Sequence, residues 1–199
     1  SDLVSYDNND AKNGTYFNSS RTMTIHYKER NIIPDGDGLT FEFASGDEPC
    51  KNFTLKELKK EISDKSLDIK ITKVEDSKDR DNIKSDKEYT DDRTLTYTIT
   101  FGGNNEKPTD MDYQIIPHIE DLAGNKNDGI TYVDGTNASQ KFTVDKVQPE
   151  MNVSYYLVDS NGNRGEEIKV STDKINRLYK NKTIRAVVKI TERNFALKN

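Results

Sequence analysis

The stretch "RTMTIHYKERN", Arg21 to Asn31, decides the fold. Met23, Ile25 and Tyr27 take every second position, with Thr22, Thr24 and His26 between them. Successive side chains of a strand point to opposite faces, so this pattern makes a half-buried strand with one apolar face. The same pattern returns near the end of the chain. Glu29-Arg30-Asn31 reappears as Glu192-Arg193-Asn194, 163 positions on. At that offset Tyr16 and Asn18 fall on Tyr179 and Asn181, and Met23, Ile25 and Tyr27 fall on Ala186, Val188 and Ile190. An apolar face is repeated, not three letters alone.

Upstream, "VSY" at Val4–Tyr6 returns at Val153–Tyr155 with an offset of 149. The two offsets differ by 14, so the second copy carries 14 extra residues between its first two strands. Residues 1–147 are therefore expected to form one complete unit. Residues 148–199 are expected to be the N-terminal part of a second, and tandem units of this kind mean an array.

Further strands follow from the same alternation. Leu39, Phe41 and Phe43 share a face, as do Leu67, Ile69 and Ile71. Leu95, Tyr97, Ile99 and Phe101 alternate with threonines, and Tyr113, Ile115, Pro117 and Ile119 form the next apolar row. Phe142 and Val144 close the unit. One helix, about 55–63, interrupts them. Thr54 and Glu57 make a capping box, Phe53 and Leu58 a hydrophobic staple, and Leu55, Leu58 and Ile62 one apolar face. The range 45–93 is expected to be a charged insertion carrying this helix. Its second part, residues 75–93, holds 13 charges of both signs and is expected as a solvated loop or a strand extension.

Composition agrees. Hydrophobic residues make up 32% and charged residues 33%, which leaves a thin core that suits two stacked sheets. The expected class is all-β, an antiparallel β-sandwich. No run approaches the roughly 20 apolar residues of a membrane helix. No charged-then-apolar leader opens the chain, so a secretion signal is expected outside it. A net charge of −5 argues against a nucleic-acid partner, which would select a basic stripe. Cys50 is the only cysteine, so no internal disulfide forms and no zinc cluster is available. Six N-x-[ST] triplets read as chance in a chain rich in Asn, Ser and Thr.

The end of the first unit reads "DLAGN", Asp121–Asn125, then a short hairpin, then "FTVDKVQP", Phe142–Pro149. This resembles the immunoglobulin-like repeats of large Gram-positive cell-surface proteins, in which D-x-A-G-N closes one strand and F-x-V-D-K-x-x-P forms the last. The opening "SYDNNDAKNGTYFN" resembles the start of such a repeat. The resemblance spans both ends of the first unit and the start of the second, and leaves out 45–93. It implies that the sandwich is of immunoglobulin type. It also implies an extracellular, cell-wall- or cell-surface-associated protein whose neighbours are further repeats of the same chain.

The motif residues Asp121, Gly124, Asn125, Asp145 and Pro149 have folding and linking roles in this reading. Gly124-Asn125 tolerates positive φ in a tight turn, and Asp121 can accept hydrogen bonds from that turn. Pro149 removes a donor and stiffens the joint between units. Catalytic residues are not expected: there is no G-x-S-x-G, no Cys–His pair and no phosphate loop, and His26 and His118 lie opposite the apolar faces. No cofactor is expected, and the metal reading concerns calcium at the inter-repeat joint, near "YDNND" and Asp145. "DSNGNRG", Asp159–Gly165, resembles the start of a calcium loop, yet its glycine stands one place late and Val170 replaces the bidentate glutamate. Asx-rich turns are the simpler account of these clusters. A Lys–Asn isopeptide crosslink is a known device in such stalks, but the sequence selects no triple. The expected function is a non-catalytic stalk or spacer that presents another module. The alternatives are an adhesin binding host glycan or protein directly, or an accessory domain of a surface glycosidase.

Overall fold

The structure is a computed structural model that describes residues 3–9, 11, 15–33, 36–79, 92–106, 108–127, 131–132, 140–169 and 181–195. The chain divides into two compact units, Ser1–Val147 and Gln148–Asn199.

The first unit is a β-sandwich, antiparallel in most of its strand pairs. One sheet contains β1 (Leu3–Tyr6), β3 (Arg21–Glu29), β6 (Ile69–Asp79), β7 (Asp92–Phe101) and β10 (Thr131–Tyr132), in the order β10-β1-β3-β7-β6. The other contains β2 (Tyr16–Phe17), β4 (Leu39–Ser45), β5 (Lys51–Thr54), β8 (Asp110–Glu120) and β11 (Lys141–Asp145), in the order β2-β11-β8-β4-β5. β9 (Lys126–Asn127) pairs with β8. This is the strand order of an immunoglobulin-type sandwich, in which the opening segment leaves one sheet as β1 and joins the other as β2. Alternation holds along the central strands. Met23, Ile25 and Tyr27 are buried on β3, Leu39, Phe41 and Phe43 on β4, and Tyr113, Ile115 and Ile119 on β8. Pro117 pairs with Phe41 of β4 on one side of β8 and on the other falls in the gap between the pairing with β11, which ends at Gln114, and with β9, which begins at Ile119. A residue without an N–H is tolerated in such a gap.

Five aromatic rings close one end of the core. Phe142 packs on Tyr6, Phe17, Phe101 and Tyr113, with centroid distances of 5.0–6.1 Å. Edge-to-face pairs of this kind add to the area term, because a positive ring edge meets a negative face. Gly102 lets β7 approach β11: it has φ +69°, and a Cβ there would lie 2.6 Å from Val144 Cγ1.

Helix α1 (Leu55–Asp64) starts as the capping box requires. The Glu57 N–H donates to Thr54 Oγ1, and the Thr54 N–H donates to Glu57 Oε2. Leu55 and Leu58 are buried and Ile62 packs against the core. The range 45–93 is thus largely framework and not a free insertion: β5, α1 and β6 occupy most of it. Within the charge run, 75–79 and 92–93 continue the β6–β7 ladder, with Arg93 donating two bonds to Asp76 at 2.6 and 2.7 Å. Residues 80–91 lie outside the described residues.

The second unit is a three-stranded sheet, β13-β12-β14, of β12 (Glu150–Val158), β13 (Arg164–Glu167) and β14 (Thr183–Thr191). In the first unit Val4 stands opposite Ile25 and Tyr6 opposite Met23. In the second, Val153 stands opposite Val188 and Tyr155 opposite Ala186. These are the residues that the offsets of 149 and 163 put in correspondence, so the two hairpins share one register. A one-residue slip would turn every apolar side chain over, so the agreement is demanding. The extra residues fall between β12 and β14, where β13 lies.

Candidate functional site

The residues singled out at the end of β8 build a turn. Asp121 Oδ1 accepts from the backbone N–H of Ala123 and of Asn125, both at 2.8 Å, and Oδ2 accepts from Asn125 Nδ2 at 2.8 Å. The Gly124 N–H donates to Asp121 O, and Gly124 has φ +80°. The carboxyl of Asp121 is held below its ordinary range, first by the Asn125 side chain and then by the turn N–H groups.

The segment weighed as a calcium loop builds the same turn. Asp159 Oδ1 accepts from Asn161 N and Asn163 N at 2.9 and 2.8 Å, Oδ2 accepts from Asn163 Nδ2 at 3.3 Å, and Gly162 has φ +82°. The motif is D-x-x-G-N in both places, Asp121–Asn125 and Asp159–Asn163. The Asp159 carboxylate is engaged by turn donors, with its pKa lowered mainly by the Asn163 N–H. Those bonds are the turn's own, and they are the reason the segment carries this spacing.

In "YDNND", Asp7, Asn8 and Asn9 are likewise engaged, and Asp10 lies outside the described residues. Asp7 Oδ1 accepts from the Thr22 N–H at 2.7 Å. Asn8 O accepts from Arg21 Nε at 2.9 Å, and Asn9 Oδ1 accepts from Arg21 Nη2 at 3.1 Å. Arg21 is 2% exposed, with its guanidinium 3.8 Å from the Tyr6 ring centroid, 4.3 Å from Phe17 and 4.8 Å from Phe142. The signal for this burial was present: Arg21 has the parity of Met23, Ile25 and Tyr27, and so points inward. Asp145 stands opposite Asp110 across β11 and β8 and accepts from the Val147 N–H at 3.1 Å. Pro149 immediately precedes β12 and is exposed.

Among the described residues, His26 does not sit between a hydroxyl and an acid. His26 Nδ1 lies 2.9 Å from Thr96 Oγ1, and Thr96 donates to Glu75 Oε2 at 3.4 Å. A nucleophile relay needs the imidazole between hydroxyl and acid; here the hydroxyl is in the middle, on the outer face of a sheet. His118 Nε2 lies 3.0 Å from Glu42 Oε1 beside a groove of about 410 Å³. Glu57, which also lines that groove, is committed to the helix cap. A wider groove of about 790 Å³ is lined by Leu67, Asp68, Thr109 and Tyr113. Asp68 there accepts from Asn104 N and Thr109 Oγ1, which ties the loop 102–109 to the start of β6. Cys50 is exposed, and its partial desolvation, then the carboxylate of Glu42, push its thiol up, which disfavours the nucleophilic thiolate. Lys146 Nζ donates to Gly102 O at 2.8 Å and to Asn104 O and Asn105 Oδ1, both at 3.2 Å, and so fastens the end of β11 to the loop after β7. No helix among the described residues is long and apolar enough to cross a membrane.

No protein-family model, curated protein or solved structure matches the chain.

Proposed function

We propose that the chain is a segment of immunoglobulin-like repeats from an extracellular, cell-wall-associated bacterial surface protein. It acts without catalysis as a stalk that presents another module. The observation that carries this reading is the shared register of the β1–β3 and β12–β14 hairpins, because one strand pair built twice is what an array produces. The polar constellations support it, since their carboxylates and amides are engaged in turns and strand anchoring.

A stalk must bear load. In the first unit β2 pairs parallel with β11, Tyr16 with Thr143 and Phe17 with Val144, and the Thr143 N–H bonds Thr15 O at 2.9 Å. Tension between the ends of the unit therefore loads an early and a late strand in shear, so their bonds resist together instead of unzipping in turn. Pulling the chain from its two ends in a single-molecule instrument tests the reading. The first unit should open in one step that releases roughly 500 Å for Leu3–Asp145, at about 3.5 Å per residue. Thr143→Pro, which removes the bonded N–H, should lower that force by more than it lowers stability in urea. Opening strand by strand at low force would end the stalk reading.

A further inference from the structure

The second unit has one apolar sheet face and one edge that the first unit shows how to cover. Val153, Tyr155 and Val188 are 42%, 42% and 54% exposed. Their counterparts Val4, Tyr6 and Ile25 are 0%, 6% and 0% exposed. Met151 and Ile190, opposite each other on the same face, are 65% and 45% exposed. The edge is open as well: among the described residues β14 pairs only with β12, whereas its counterpart β3 pairs with β1 on one side and β7 on the other. A nine-residue edge strand with an apolar face is a template for another strand.

We propose that β14 is a strand-accepting edge whose occupant is an extended segment of the β7 type, added antiparallel. The inference rests on the repeat reading above, because the occupant is deduced by carrying the β3–β7 ladder over to β14. In that ladder Met23 faces Ile99, Ile25 faces Tyr97, Tyr27 faces Leu95 and Glu29 faces Arg93. The offset of 163 places Ala186, Val188, Ile190 and Glu192 at those positions. The occupant is therefore a strand that alternates large apolar residues with threonine or a similar small polar residue. Its apolar side chains extend the face of Val153, Tyr155 and Val188, and a basic residue near its N-terminal end stands opposite Glu192. A second copy of β14 fits less well, since self-pairing puts the charged Arg185 and Lys189 of the added strand where β7 carries threonine.

The test uses the full chain and a synthetic peptide of the sequence DRTLTYTITF, Asp92–Phe101. Titration followed by NMR should show saturable binding. The β14 amides that face away from β12 should slow in hydrogen exchange by about tenfold or more, with the peptide tyrosine near Val188. A peptide with serine in place of its leucine, tyrosine and isoleucine should not bind. The contact between Val153 and Val188 is read in the same spectra. If that contact is present and β14 stays unprotected, or the serine peptide protects it equally, the inference is overturned while the repeat reading stands. If that contact is absent, both fall. Protection of β14 that grows with chain concentration and needs no peptide would overturn the proposed occupant in favour of a second copy.

Discussion

Replacing Arg21 separates charge from volume at a single buried position. Arg21→Met keeps an unbranched chain against Tyr6, Phe17 and Phe142 but loses the two bonds to Asn8 and Asn9. Hydrogen bonds from a charged donor contribute about 1.5–3 kcal/mol each. A desolvated cation over aromatic faces adds about 2 kcal/mol. Against these stands the cost of keeping a guanidinium out of water, which the methionine removes. Asn9 is exposed and Asn8 half-buried, so their freed oxygens can turn to water. The net loss is then about 1–3 kcal/mol. Arg21→Ala adds a cavity among three rings and should cost about 3–5 kcal/mol. Arg21→Lys keeps the charge but cannot lie flat on the rings or span both acceptors, and should be no better than methionine. Urea titration followed by far-ultraviolet circular dichroism reads the order. At about 2 kcal/mol per molar urea, the Met variant shifts the midpoint by roughly 1 M and the Ala variant by roughly 2 M. A lysine variant as stable as the parent would show that charge alone matters, and equal losses for methionine and alanine would show that the packing argument is wrong.

Phe142→Ala removes the ring common to four aromatic contacts and should cost about 3–5 kcal/mol in the same titration, with Phe142→Leu recovering more than half. Gly102→Ala places a methyl against Val144 on a backbone of positive φ and should cost at least about 1–2 kcal/mol. Thr54→Ala breaks the capping box and should cost about 1 kcal/mol, with faster exchange confined to the first turn of α1. The two Asp-led turns should loosen in acid. Their carboxyls titrate below the unfolded value, so their contribution is present above about pH 4 and is lost as pH falls through the folded pKa. Amide shifts of Asn125 and Asn163 should report this together, and Asp121→Asn should remove the response of Asn125 alone.

The strands were legible because side-chain parity is a local property. Met23, Ile25 and Tyr27 face inward whatever lies opposite them, and the same parity carried the second hairpin. Helix α1 was legible because its cap is written within four residues, Thr54 to Glu57. Arg21 shows position prevailing over residue type, since its parity with Met23 takes a charged side chain inward. The turn at Asp159–Asn163 was legible as an Asx turn, and the five-residue frame it shares with Asp121–Asn125 gives its geometry. β2, β9 and β10 have two residues each, too few for a period, and exist only through their partners. At the two described ends of the charge run, 75–79 and 92–93, the strand extension holds, and Asp76 and Arg93 on neighbouring strands neutralise each other across it.

The outer side of the β3–β7 pair is dressed in threonine. Thr22 bonds Thr100 through their hydroxyls at 3.1 Å, and His26 meets Thr96. These hydroxyls bond sideways across the two strands, so they are committed to their own sheet and not to a neighbouring surface. Copies of the proposed stalk set side by side would then find little on this face to grip.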